Sequence, residues 1–300
     1  MIEIEFQTRL NYVVGAQGAD FVFNVHAAQT PCQTVAAENL VLSQPIVPEI
    51  HADPATGNRY LRFRAQPGEL NLDYTATVRI EHHLADPDQL AEVALSSLPP
   101  EVMGYMFPSR YCQSDRLLKM ASDTFGDIQP GYARVKAIRD WVLDRITYAS
   151  NTSDSTTSAV DTLVERVGVC RDFAHLMIAF CRALNIPARI ATGTDFGSGG
   201  QPDFHAYVEV FLGGRWFIFD PSDLSIPMGL LRIGTGRDAA DVAFASIFGE
   251  VKPGAPLVRA TAVEDEARGV VLPRHCSEAI STAGVGFAKA EVAAGVSRSD

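Results

Sequence analysis

The chain has 300 residues, of which 47% are apolar and 20% charged, and it carries a formal net charge of −11. That composition suits one large or two ordinary cored units, and the acidic balance argues against a nucleic-acid binder, which needs clustered Lys and Arg. No apolar run reaches the length of a membrane span, and Met1-Ile-Glu-Ile-Glu-Phe lacks the basic-then-apolar pattern of a leader, so a cytoplasmic protein with no membrane partner is expected.

In chain order, Ile2, Ile4 and Phe6 alternate with Glu3, Glu5 and Gln7, and Phe21, Phe23 and Val25 alternate with Val22, Asn24 and His26. Residues 60–65 and 70–81 repeat the pattern, with Pro, Gly and Asn between the runs. Period-two alternation of this kind predicts an N-terminal β-sandwich over residues 1–98, in which His26, His51, His82 and His83 are ordinary strand or loop residues. From Leu98-Pro99-Pro100-Glu101 onward the period becomes helical. Residues 114–122 form a predicted helix, and Val135, Ile138, Val142 and Ile146 mark another over 132–146. A polar loop spans 150–158, a short helix follows over 161–167, and Leu257–Val263 reads as a late strand. The expected division is 1–98, 99–270 and a weakly ordered tail over 271–300.

The segment from Gly168 to Asp220 concentrates the chemistry. Phe173, Met177, Phe180, Cys181 and Leu184 recur on one helical face, Gly168 allows a sharp turn before it, and Asn185 and Pro187 end it. Cys170 therefore falls in the first turn, where unpaired N–H groups and the helix dipole favour a thiolate and can donate to an oxyanion. Asp172 complements the dipole. His175 lies five residues on, ~140° around the wheel, and cannot face the same thiol. Cys181 belongs to the apolar face, and Cys112 lacks both a helix start and a nearby base.

After the helix, residues 188–193 read as a strand and 195–202 as a Gly- and Ser-rich loop. The runs 205–212 and 215–220 flank Gly213-Gly214, a two-residue hairpin signal. That turn pairs Leu212 with Arg215, sets Asp220 opposite Tyr207, and makes His205 and Asp220 diagonal neighbours on one face, ~7–8 Å apart at Cα level. A thiol, an imidazole and a carboxylate so placed suit nucleophilic catalysis, with Cys170 attacking, His205 moving the proton and Asp220 orienting the imidazole.

Gly-Val-Cys170-Arg-Asp-Phe-Ala-His, Ile186-Pro-Ala-Arg, Phe204-His205-Ala-Tyr-Val-Glu-Val and Trp216-Phe-Ile-Phe-Asp220-Pro together resemble the transglutaminase-like superfamily, in its bacterial cysteine-protease-like branch. Residues 108–112 and 236–241 and the N-terminal β module extend the likeness over residues 1 to about 265. The resemblance implies an α+β fold, a papain-like transglutaminase core preceded by a β-sandwich, and acyl-enzyme chemistry carried by Cys170, His205 and Asp220. It leaves the reaction open; hydrolysis of a peptide or isopeptide amide bond in a peptide or protein substrate is the first reading, because it needs only water as the second substrate. Amine-dependent glutamine γ-glutamyl transfer, or a binding scaffold that keeps the triad, are the alternatives. No cofactor and no metal are expected: the five cysteines show no Cys-x-x-Cys pair and no calcium-loop pattern occurs. Tyr111, Arg171, Tyr207 and Arg237 are the candidate substrate-binding residues, with Arg232 also considered for a substrate carboxylate. Tyr111, Trp141 and Tyr148 are weighed as a second oxyanion donor against simple packing, and Asp203 and Glu209 as groups that tune the site.

Overall fold

The N-terminal alternation builds long strands: β1 (Ile2–Val14), β2 (Ala19–Phe23), β3 (Gln33–Leu42), β4 (Glu49–Ala52), β5 (Arg59–Ala65), β6 (Gly68–Ile80) and the short β7 (His83–Ala85). They are seen in a computed structural model that describes residues 1–194 and 203–282. β1 pairs antiparallel with β6 from Ile2↔Ile80 to Val14↔Gly68, and the inward residues of both strands, Phe6, Leu10, Leu70, Leu72, Tyr74 and Val78 among them, are buried. The facing sheet contributes Phe21, Phe23 and Phe63, whose ring centroids lie 5.3–5.7 Å apart. Each side chain so buried stabilises the sandwich by about 1.5–3 kcal/mol.

Four helices of more than one turn follow the short α1 (Pro100–Met103): α2 (Ser114–Phe125), α3 (Tyr132–Arg145), α4 (Ala159–Glu165) and α5 (Cys170–Ala183). Between them lie two short strands, β8 (Thr147–Tyr148) and β9 (Val167–Gly168), paired in parallel. α4 starts two residues before its predicted position because the Asp161 carboxylate accepts from the N–H and hydroxyl of Ser158, at 2.9 and 2.6 Å, and closes the first turn there. The apolar stripe of α5 is legible in the sequence, but from Asp172 to Ala183 the helix is buried on every side. α2, α3 and α4 cover part of it, and a sheet covers the rest.

That sheet is β10 (Ala188–Thr194), β11 (Phe204–Leu212), β12 (Arg215–Phe219) and β13 (Leu231–Gly236), in the order β12-β11-β10-β13 and antiparallel throughout. Gly213 and Gly214 have φ of 56° and 87°, as a tight hairpin turn of this type requires. The hairpin register pairs Leu212 with Arg215 and Val208 with Phe219, as the turn predicts.

The chain then leaves the expected division. β14 (Ala245–Phe248) pairs with β2, while β15 (Val251–Pro253) and β16 (Leu257–Val263) pair with β1, so residues of the 99–270 segment complete the N-terminal sandwich. Without them β1 and β2 would each expose an unpaired row of backbone N–H and C=O groups. The tail is also corrected in part. β17 (Ala279–Ser281) pairs with β7, and Ser281 and Thr282 are fully buried. The rest of the expected tail, 283–300, and the predicted loop at 195–202 lie outside the described residues.

Candidate active site

Cys170 is the first residue of α5, preceded by Val169 in extended conformation, and its thiol is half-buried. The turn is closed by Asp172, which accepts from the Val169 N–H at 2.8 Å and from the Ser153 hydroxyl at 3.0 Å. Gly168 is needed here for space, since its φ is not positive: a Cβ would lie 2.7 Å from that of Asp172. Arg171 donates to the Ser153 hydroxyl at 2.6 Å and the Asp154 carbonyl at 2.7 Å, tying the 150–158 loop to the helix start. Tyr148, opposite Gly168 in the parallel pair, is 43% exposed. Burial, with the charges of Cys170, Asp203 and Asp172, raises its hydroxyl above the usual phenol range, so it stays a proton donor at neutral pH.

His205 lies on β11, opposite Gly193 of β10. A side chain on Gly193 would place its Cβ 1.9 Å from the Leu231 carbonyl, so glycine is what lets β13 close on the sheet at this level, where the register shifts. Asp220 stands just beyond β12. His205 Nε2 is 3.0 Å from Asp220 Oδ2, with the two residues only 8% and 4% exposed. Cys170 is close enough to the same ring to act on its charge. With Nε2 turned to the carboxylate, Nδ1 is the atom left for the thiol. Burial works against charge on His205, but its hydrogen bond to Asp220 and the charges of Asp220 and Cys170 outweigh it and raise the imidazole pKa to about 10. Burial likewise opposes charge on Asp220, yet His205, Ser225 and Ser222 hold it well below the ordinary carboxylate range. The arrangement can therefore hold an imidazolium between a carboxylate and a sulfur.

Two residues in this site were missed at the sequence level. Ser222 donates to Asp220 Oδ1 through N–H and hydroxyl at 3.0 and 2.7 Å, and Ser225 donates to Oδ2 in the same way at 3.1 and 2.5 Å. The available signal was Asp220-Pro-Ser222, an aspartate two residues before a backbone donor, the spacing of an Asx turn. Arg139 also supports the loop, donating to the Asp220 carbonyl at 2.9 Å and pairing with Asp223.

The candidate substrate residues are placed differently. Tyr207 shares the face of His205 but is fully buried, which removes it as a substrate contact: that face packs into the sandwich core. Tyr111 stacks on His175 with centroids 5.0 Å apart, and its hydroxyl donates to the Ser155 carbonyl at 2.7 Å. Arg237 is paired with Asp241 at 2.9 Å. Arg171 is held by the 150–158 loop. Arg232 and Arg189 both pair with the fully buried Glu209, so Arg232 is not free for a substrate carboxylate. Trp141 packs edge-on against Phe125 and Phe180. His175 is fully buried, accepts from the Ala239 N–H at 3.1 Å and does not join the Cys170 cluster. Cys112 is enclosed, and burial pushes its thiol up to about 12. Burial also raises the Cys181 thiol. Among the described residues no three His, Cys, Asp or Glu side chains converge as metal ligands, and no helix is long and apolar enough to cross a membrane.

A helix-start cysteine thus accompanies a histidine on an antiparallel sheet and an aspartate just beyond the end of its edge strand. Residues 119–221 match the model of the transglutaminase-like superfamily, and residues 2–101 match that of the bacterial transglutaminase N-terminal domain. A presumed cysteine protease from Cytophaga hutchinsonii, solved by crystallography, is 40% identical over 93% of this chain and 97% of its own, with a TM-score of 0.87. The chain belongs to the transglutaminase-like superfamily. Uncharacterized proteins of Mycobacterium leprae and Mycobacterium tuberculosis are 33% and 30% identical over 123 and 171 residues, which is 38% and 52% of this chain. The chain spans about half the length of these curated relatives, 43% and 51%.

Proposed function

We propose that the protein is a cysteine-nucleophile hydrolase or acyl transferase acting on peptide or isopeptide amide bonds. The observation that carries this reading is the buried His205 held between Asp220 and the helix-start thiol of Cys170. The Cys170 thiolate attacks the carbonyl carbon while N–H groups at the helix start stabilise the oxyanion. The carbon–nitrogen bond breaks, the His205 imidazolium gives its proton to the departing amine, and a thioester remains on Cys170. Water, losing a proton to His205, then cleaves the thioester and restores the thiol. Asp220 keeps the imidazole in one tautomer and balances its charge through both steps. Likeness to the Cytophaga hutchinsonii protein supports a peptide or protein as the substrate class. No disulfide joins any of the five cysteines, which supports a reducing, cytoplasmic setting.

The test is site-resolved iodoacetamide labelling across pH in wild type and His205→Ala. Cys170 is expected to label fastest below pH 7 and to lose that lead in the variant. Equal, slow labelling of Cys170 in both proteins would refute the assignment. Acyl-enzyme trapping with and without added primary amines then separates hydrolysis from transfer.

A further inference from the structure

The Asp220 carboxylate is held more elaborately than orientation alone requires. The Ser222 and Ser225 amides already grip one oxygen each, at 3.0 and 3.1 Å, and fix the carboxylate plane. The hydroxyls add a second layer, and they are not equivalent. That of Ser222 goes to Oδ1, which does not touch the histidine, while that of Ser225 goes to Oδ2, the oxygen that His205 Nε2 also uses. Oδ2 thus takes three donors, of which the Ser225 hydroxyl is the closest at 2.5 Å. An oxygen has finite charge to share, and a strong donor on it weakens the bond it makes to the next.

We propose that Ser225 is a positioning residue that tunes the site through Asp220: its hydroxyl competes with His205 for Oδ2 and keeps the imidazolium acidic enough to give its proton to a leaving amine. This rests on the Cys170–His205–Asp220 reading above. Both serines are buried, 6% and 4% exposed, so water does not replace the lost donor freely. Among the described residues, the groups facing His205 are few. Cys170 comes from α5, Asp220 from the loop after β12, and Tyr207 from its own strand with ring centroids 6.5 Å away. β10 offers only Gly193 opposite it, and next to that on β13 is Arg232, already paired with Glu209. Arg139 reaches the Asp220 backbone rather than its carboxylate.

The experiment is a pH titration of the His205 ring by nitrogen-15 NMR in wild type, Ser225→Ala, Ser225→Thr and Ser222→Ala, with folding checked by the same spectra. Ser225→Ala is expected to raise the His205 midpoint by about half a pH unit or more and to move the Nε2 proton downfield. Ser225→Thr keeps the hydroxyl and is expected to restore the wild-type midpoint, while Ser222→Ala moves it by less than half as much. An unchanged or lowered midpoint in Ser225→Ala, or an equal shift in Ser222→Ala, overturns the proposal. A wild-type midpoint near the ordinary histidine value overturns the triad reading itself, and this inference with it. An elevated wild-type midpoint that Ser225→Ala leaves unmoved sinks the tuning role alone.

Discussion

At the scale of single residues, Asp220 is the most constrained group of the site, receiving four serine donors and one histidine donor in a nearly closed pocket. Asp220→Asn keeps the shape but turns an amide donor toward one of those donors. The expected result is a fall of at least ~10²-fold in the alkylation rate of Cys170 at neutral pH, since the comparable change in a serine-protease triad costs about 10⁴ in turnover. Asp220→Ala should in addition lower the urea midpoint, because each buried donor left without a partner costs about 1–3 kcal/mol. Turnover is expected to carry an alkaline limb near the His205 pKa of about 10, since a neutral imidazole cannot protonate the leaving amine. Cys112 and Cys181, enclosed and with thiols raised by burial, should stay unlabelled in the folded protein. The placement of Cys170 at a helix start and of His205 beside Asp220 was legible because a helix start and a glycine hairpin each left a local mark. Ser222 left only its Asx-turn spacing and Ser225 left nothing: a serine hydroxyl that clamps a carboxylate and one in a solvated loop look the same in sequence.

Among the elements, the β11–β12 hairpin shows why register could be read ahead of the structure. Gly213-Gly214 sets the pairing, and the pairing sets which side chains share a face. What that face packs against is not local information. Tyr207 shares the face of His205 but meets the sandwich core, so it fails as a substrate contact. Gly193 illustrates the same limit. Within a strand its sequence says only that a side chain is missing, whereas the structure shows the Leu231 carbonyl filling the vacant space. Gly193→Ala is therefore expected to destabilise the fold by on the order of 3 kcal/mol and to loosen the strand bearing His205. Equilibrium urea unfolding alongside the Cys170 labelling rate would check this, and an unchanged midpoint would contradict it.

For the whole molecule, three histidines work against stability in acid, among them His82, which burial holds at about 4. His26 and His175 are 1% and 0% exposed, and burial depresses their pKa values to about 4 and about 3. Between pH 6.5 and those values the unfolded chain binds protons that the folded protein refuses, so stability present above pH 6.5 is lost as the pH falls. The loss is roughly 1.4 kcal/mol per pH unit for each histidine, or about 4 kcal/mol for the pair by pH 5. Chemical unfolding at pH 7 and pH 5 should show it, and His26→Gln or His175→Gln should each flatten the slope by about a third. The return of β14, β15 and β16 to the first sheets makes a second prediction. Removal of residues 243–300 bares the outer edges of β1 and β2, and the product should aggregate on size-exclusion chromatography rather than run as a folded monomer. Such long-range closure leaves no mark on the short strands that perform it, which is why 257–263 reads as a strand without revealing its partner.

Synthesis on the ribosome gives that closure a time. β1 is made well before its neighbours β15 and β16, which emerge only after the whole Cys170 unit has been translated, a delay of roughly 10–50 s at ~5–20 residues per second. Throughout that interval the nascent sandwich carries a bare strand edge of the kind that recruits other chains. The return of β15 and β16 is thus what ends the protein's period of greatest exposure to misassembly.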